Sequence, residues 1–360
     1  MDPPQHILVT GAAGYIGSEL VRTLLGQGYR VTAVDSMLFG DRGLADLHHH
    51  PHLRVWPIDT RTLHRGHLTG MQAVVDLAGL SSELATDLDP VRADAVNHRA
   101  QVRLAQLARS SGVRRYLLIS SCSVYGYADT PDSTEASMVR PLTQHAQQCL
   151  LAESAILPLA DSGFAPCVLR LGVVHGRSAR LRLDLPLHAM VLSALRLRQI
   201  TLDSQGLQCR GHVHLHDAVA GILAALRASV CAVRRQVFNI SHHSLSAATL
   251  AEAIRAEMGG HVQIRPVGGT PDLHHHRPCS RKAQELLGYR PERTLNAGIR
   301  ELIEALEPGP CSEPVEVRTM RWIHEVLAQG REAAVAIERT SVPAVVPQRV
   351  RQPAGTLTLQ

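Results

Sequence analysis

The sequence predicts an α/β fold: a doubly wound parallel sheet followed by a smaller mixed α/β lobe. Three observations carry this. Strand-like and helix-like segments alternate through the first half of the 360 residues, which implies right-handed crossovers and a parallel sheet. The first strand runs into a glycine-rich turn that opens a helix. After about residue 172 the pattern changes to helices separated by short strands.

The elements follow in order. His6–Thr10 is a short apolar run, and 14–27 has helical spacing. Arg30–Asp35 is the second strand, Leu53–Ile58 the third and Ala73–Ala78 the fourth. Residues 91–111 read as a helix, with apolar residues at 102, 104, 107 and 108. Tyr116–Ser120 is the fifth strand, 142–162 a long helix and Pro166–Leu171 the sixth strand. Helices then appear at 183–198, 216–228, 246–258, 280–287 and 297–306, with strands near 200–203, 210–214, 236–240 and 262–265. Asp217 reads as an N-cap for the 216–228 helix. These segments divide into a dinucleotide-binding domain over 1–172, with return segments from the second half, and a substrate lobe over 173–306. A C-terminal extension over 307–360 reads as a helix at 315–338 and then a flexible tail from 341.

Composition narrows the function classes. Hydrophobic residues make up 45% and charged residues 19%, enough for a core. Aromatics are 3%, so the core rests on aliphatic side chains. The net charge of +5 comes from 37 basic and 32 acidic residues that intersperse, which predicts a mixed surface and no nucleic-acid partner. Lys282 is the one lysine among those 37, leaving 36 arginines. Seven cysteines, at 122, 149, 167, 209, 231, 279 and 311, are widely spaced with no C-x-x-C, which favours a reducing compartment over a disulfide framework. Residues 1–5 lack the basic and apolar regions of a signal peptide, and no apolar stretch reaches membrane-span length. A cytoplasmic protein without a membrane partner is expected.

Chemistry is most legible at Ile7-Leu8-Val9-Thr10-Gly11-Ala12-Ala13-Gly14-Tyr15-Ile16-Gly17. Gly11 permits the tight turn, Gly14 lets backbone approach a pyrophosphate, and Gly17 allows close helix–strand packing. The helix start offers free N–H groups and the positive end of its dipole to phosphates. Asp35 ends the second strand, eighteen positions after Gly17, where a carboxylate can accept from both ribose hydroxyls. It would repel a 2′-phosphate and no arginine follows it directly, so NAD is expected over NADP.

The spacing Gly-x-x-Gly-x-x-Gly resembles that of the extended short-chain dehydrogenase/reductases, the nucleotide-sugar epimerases and dehydratases. The likeness recurs in order over roughly residues 6–306. Ile58-Asp59-Thr60-Arg61 resembles the segment whose Asp meets the adenine. Asp76-Leu77-Ala78-Gly79 resembles the strand end under the cofactor, with Asp76 where the family usually has His. Asn97 matches the family's Asn after the long loop. Ile119-Ser120-Ser121-Cys122-Ser123-Val124-Tyr125-Gly126 matches the serine-bearing strand end. Leu169-Arg170 with Val174-His175-Gly176, and later His212–Asp217 and Leu286–Pro291, also match. By this resemblance Tyr15, Ile16, Leu77, Ala78 and Gly79 join the glycines, Asp35, Asp59, Thr60 and Asn97 around the cofactor.

The resemblance also implies a catalytic Tyr-x-x-x-Lys on one helix face and a serine on the same substrate oxygen. The lysine matters because an unperturbed tyrosine, pKa about 10, is a poor base at neutral pH. Ser121 fits the serine role. In the helix, Pro141, Ala146 and Glu153 hold the family register, but His145 stands in the tyrosine position and Cys149 in the lysine position. Two readings follow. His145 acts as the base, since imidazole titrates near neutrality unaided, or the chain binds NAD or a sugar nucleotide without efficient redox chemistry. For the substrate, the resemblance points to Ser123, Arg182, His188 and Arg210. The arginine that the family carries near His274 is replaced, with Arg277 close by. The histidine runs at 48–50, 242–243 and 274–276 lack spaced Cys or carboxylate partners, so no metal is expected. Helices near 98–111 and 142–162 are those that pair in family homodimers, so a homodimer is expected by analogy.

Overall fold

The structure, a computed structural model, describes residues 5–82, 86–87, 89–128, 132–203, 205–268 and 273–307. The helix expected at 315–338 and the tail from 341 lie outside the described residues. The chain divides into units Met1–Trp322 and Ile323–Gln360; the candidate site lies within the first.

The first half folds as its alternation predicts. β1 (His6–Thr10), β2 (Arg30–Val34), β3 (Leu53–Trp56), β4 (Ala73–Asp76), β5 (Arg115–Ser121) and β6 (Ala165–Leu171) pair in parallel. Both faces of this sheet are covered, so its strands are apolar almost throughout. Ile7 and Val9 face one core with the Tyr15–Gly26 and Leu215–Arg227 helices. Leu8 faces the other, with the Gln101–Ser110 and Gln144–Ile156 helices. The predicted 91–111 helix exists but is not uniform: Pro90–Asp94 passes through a wider turn, Ala95–Ala100, before Gln101–Ser110. That turn carries Asn97 and aims it back at the β4 exit.

The second half adds β7 (Val173–His175), β8 (Gln199–Asp203), β9 (Cys209–His214), β10 (Gln236–Ile240), β11 (His243–Ser246) and β12 (Gln263–Val267). β10 is the return segment: it pairs with β6 and completes the main sheet in the order β10-β6-β5-β4-β1-β2-β3. The strand order reverses between β1 and β4, and such a switch point opens a ligand crevice at the carboxyl ends of the strands. β11, β9 and β7 form a small second sheet, and β12 pairs with β8. Leu187, Ile200, Leu250 and Ile299 pack the lobe's own core.

One cap differs from expectation. His214, not Asp217, caps the Leu215–Arg227 helix, its ring nitrogen accepting from the His216 amide at 3.2 Å. The helix starts three residues earlier than a cap at Asp217 requires. Asp217 is buried in the first turn and accepts the Glu292 and Arg293 amides at 3.1 and 3.0 Å, tying the chain before the Leu295–Leu306 helix to this one.

Candidate active site

The glycine turn is built by contact. Gly11 has φ +62°, and a Cβ there would meet the Leu77 carbonyl oxygen at 2.8 Å. A Cβ on Gly17 would lie 2.1 Å from the Gly11 carbonyl oxygen, which only glycine tolerates. The Tyr15–Gly26 helix has no side-chain cap and no acidic residue in its first turn. Its first amides, at Tyr15, Ile16 and Gly17, therefore face the crevice with the positive end of the helix dipole. The Tyr15 side chain points elsewhere: its hydroxyl donates to the Gly176 carbonyl at 2.8 Å, pinning the first domain to the lobe. This cradle fits a dinucleotide pyrophosphate.

Asp35, just after β2, accepts the Ala13 amide at 3.0 Å and the Met37 amide at 2.9 Å, one on each oxygen. Each oxygen keeps a second lone pair for a ribose hydroxyl. Burial pushes the Asp35 carboxyl up, and the two amides and then Arg180 oppose it. The resemblance places Arg180 in the loop facing the sugar nucleotide; its guanidinium stacks over Phe39, 4.4 Å from the ring centroid. The Asp59 carboxylate caps a short turn and is bound by Arg61, with the Thr60 side chain buried behind it.

Asp76, which stands where a family histidine was expected, is buried and structural. It accepts Thr10 Oγ1 and Tyr116 OH, both at 2.5 Å, and so ties β1, β4 and β5 together. Thr10 Oγ1 in turn accepts the Leu77 and Ala78 amides at 3.1 Å, which sets the strand exit that closes over Gly11. Asn97 is spent holding the same exit. Its Oδ1 accepts the Leu80 amide at 2.7 Å, and its Nδ2 donates to Leu80 O at 3.0 Å and to Gln148 Oε1 at 2.8 Å. A Cβ on Gly79 would lie 3.2 Å from that Oδ1. Asn97 therefore shapes the cofactor wall from behind and couples it to the helix carrying His145.

That helix is set by Thr143, whose hydroxyl accepts the Ala146 amide at 3.3 Å. His145 Nε2 lies 3.7 Å from Cys149 Sγ, so the i, i+4 pair is formed. Cys149 also meets Ser120 and the Ser121 backbone, which brings the pair to the end of β5. His145 is half-buried, with Nδ1 enclosed and unpartnered. Desolvation and then Arg182 lower its pKa to about 4, while burial and then Glu153 push the Cys149 thiol up to about 12. At neutral pH the pair is a neutral imidazole beside a thiol. Ser121 Oγ accepts the Ser123 amide at 3.1 Å, which leaves its proton directed away from that bond. Beneath them, Glu153 accepts Ser120 Oγ at 2.5 Å and Arg170 Nη2 at 2.6 Å, and Arg170 Nη1 donates to Tyr125 OH at 3.1 Å.

The substrate candidates separate. Arg182 donates to Ser81 Oγ at 2.5 Å and pairs with Asp184, and it is close enough to act on His145. His188 is fully enclosed, its Nε2 3.3 Å from the Gly176 amide and 3.5 Å from Tyr15 OH, so it supports the Tyr15–Gly176 wall. Arg210 and Ser123 line a cavity of about 60 Å³ beside Ser121. Sequence reasoning did not name the other polar side chains there, His274 and His276, as site residues; their signals were a histidine run and the family arginine expected near His274.

The profile of the NAD dependent epimerase/dehydratase family matches residues 7–241. The chain belongs to this family. Within the family it is 24% identical over 306 residues to UDP-glucuronic acid decarboxylase 1 of Danio rerio, covering 83% of this chain and 72% of that protein. It is 29% identical over 322 residues to UDP-glucose 4-epimerase of Mycolicibacterium smegmatis, covering 82% and 97%. Among solved structures it resembles MoeE5 in complex with UDP-glucuronic acid and NAD, with a TM-score of 0.71, 27% identity, and coverage of 83% and 98%. Among the described residues of this epimerase/dehydratase-family chain, no group of three or more His, Cys, Asp or Glu side chains is arranged to hold a metal ion. No helix among them is long and apolar enough to cross a membrane.

Proposed function

We propose that this chain is an NAD-dependent nucleotide-sugar oxidoreductase of the epimerase/dehydratase type, with His145 doing the work of the family's tyrosine. NAD, when bound, supplies the hydride acceptor. The first-turn amides and Asp35 hold it, and the Leu77–Gly79 exit shapes its pocket. Ser121 orients the sugar hydroxyl, and the neutral His145 imidazole takes its proton. The observation that carries this reading is the placement of the His145–Cys149 pair against the end of β5 beside Ser121. Burial keeps His145 in the form that accepts a proton but lowers its basicity, so a rate below that of a lysine-assisted tyrosine is expected. Cys149, a thiol at neutral pH, packs behind the imidazole and carries no charge.

The test is turnover of a panel of UDP- and dTDP-sugars by wild type and His145→Ala. A fall of about 10²–10⁴-fold on His145→Ala is expected, the range of a lost general base. Unchanged turnover removes His145 from the mechanism. NAD binding without turnover of any sugar favours the alternative, a binding protein of the same fold. A second variant, Gly17→Ala, is expected to lower NAD affinity at least tenfold and cost about 1–3 kcal/mol of stability, since its methyl must displace backbone. NAD titration and thermal melting read both.

We further propose a Rossmann domain over 1–172, a substrate lobe over 173–306 and a homodimer. The dimer is built on the Gln101–Ser110 and Gln144–Ile156 helices, where Leu151 is half exposed, together with Val91, 73% exposed. Sedimentation equilibrium giving a monomer at all concentrations would remove the dimer. The free thiols favour the cytoplasm.

A further inference from the structure

The chemistry proposed above makes no use of Gln148, yet the fold places it at the back of the cofactor pocket. It lies on the helix that carries His145, three residues further on and so one turn along. Cys149 meets the end of β5. Gln148, one residue before it, is 3% exposed and reaches Asn97 on the Ala95–Ala100 turn, 51 positions away in the chain.

The hydrogen bonds fix how both amides point. The Leu80 amide can only donate, so the atom of Asn97 that meets it at 2.7 Å is Oδ1. Nδ2 is then the atom that donates to Leu80 O at 3.0 Å and to Gln148 at 2.8 Å, and the accepting atom of Gln148 must be Oε1. Gln148 Nε2 is left at the far end of its amide, enclosed and without a partner among the described residues. A buried amino group with no acceptor costs desolvation that an apolar side chain of similar size avoids. Packing alone therefore gives no reason for an amide here. What the amide contributes is its oxygen, which takes the second proton of Asn97 Nδ2 and so fixes the plane of the Asn97 side chain.

Asn97 in turn grips Leu80 through both of its backbone groups, and a Cβ on Gly79 would already crowd Asn97 Oδ1 at 3.2 Å. Gln101 donates to Ala78 O at 3.0 Å from the start of the next helix. The Ala78–Leu80 exit, which walls the cofactor pocket, is thus held from behind by Gln101 and Asn97. Gln148 braces the second of these.

We propose that Gln148 is a positioning residue for the cofactor: through Asn97 it holds the Ala78–Leu80 wall in the place that NAD requires. It acts through Oε1, because Nε2 is enclosed and does not face the crevice. The inference rests on NAD as the cofactor, and it is independent of which sugar is bound and of whether His145 is the base.

The test is calorimetric titration of the full chain with NAD, with thermal melting of the same NAD-free samples. Gln148→Leu keeps most of the bulk and removes both polar atoms. It is expected to weaken NAD binding about fivefold, the contribution of one hydrogen bond. Its melting temperature is expected to stay within about 2 °C of wild type, because it removes the unpartnered Nε2 as it leaves one Asn97 N–H without its acceptor. Gln148→Met, unbranched, serves if Gln148→Leu does not fold. Asn97→Ala is expected to weaken binding at least as much, and adding Gln148→Leu to it should weaken binding no further, because the two side chains act through one bond. Unchanged NAD affinity in Gln148→Leu overturns the assignment. A loss of affinity together with a melting temperature more than about 5 °C lower also overturns it, since that is the mark of a residue that only packs. A full further loss in the double variant overturns it as well. Failure of the wild type to bind NAD overturns the NAD reading and this inference together.

Discussion

Glu153→Ala is expected to destabilise the protein by about 3–5 kcal/mol, because it strands a buried guanidinium. The Arg170 and Glu153 side chains are only 6% and 3% exposed. Arg170 meets Glu153 through Nε at 3.1 and 3.2 Å and through Nη2 at 2.6 Å. Burial opposes the Arg170 charge, but Glu153 overcomes it and holds the guanidinium pKa above its ordinary value. The pair is also the floor of the candidate site: Ser120 donates to Glu153, and Tyr125 joins Arg170 to Asn239 on β10 through a bond of 2.8 Å. Removing both charges should cost much less than removing one. The double variant Glu153→Met with Arg170→Met is expected to lie within about 2 kcal/mol of wild type, since a buried pair replaced by apolar groups is often near neutral. Urea unfolding of Glu153→Met, Arg170→Met and the double variant measures this. Additive losses would show that the two side chains do not act as a pair.

Acid should unfold this protein early. His188, His212 and His276 are each no more than 3% exposed, and burial lowers their pKa values to about 4, 3 and 3. His175, 1% exposed with both ring nitrogens unpartnered, is also held well below the ordinary imidazole value, by burial first. The folded pKa of each lies below the unfolded value near 6.5. Between those limits the unfolded chain binds more protons, so stability is complete above about pH 6.5 and is lost as pH falls towards 3–4. Each group loses about 1.4 kcal/mol per pH unit in that window, so the first three together lose about 4 kcal/mol per unit. That is a large share of a typical total of 5–15 kcal/mol. Burial raises the pKa values of Asp35 and Asp76, which act in the opposite sense, two groups against four. The melting temperature is therefore expected to fall steeply between pH 6.5 and 5, and His212→Asn should flatten the fall. A melting temperature constant over that range would contradict the neutral, buried state of these rings.

The sequence alone determined the parallel sheet, the glycine turn and the position of Asp35. Each is written in local patterns of two, three or four residues, and the backbone has few ways to satisfy them. The chain's resemblance to the family also implied that His145 and Cys149 stand at the Tyr and Lys positions, through the register of Pro141, Ala146 and Glu153. Tertiary structure decided the rest. It returned β10 to the main sheet beside β6 and gave the 215–227 helix a histidine cap in place of Asp217. It brought Arg180 towards Asp35 from 145 residues away, and it turned an unremarkable histidine run into the wall facing Ser121 and Arg210. These partners are distant in sequence, and no periodicity records which buried group a side chain will meet. The pairing is set by how the lobe packs on the sheet, where a polar group that leaves water must find whatever partner the packing brings.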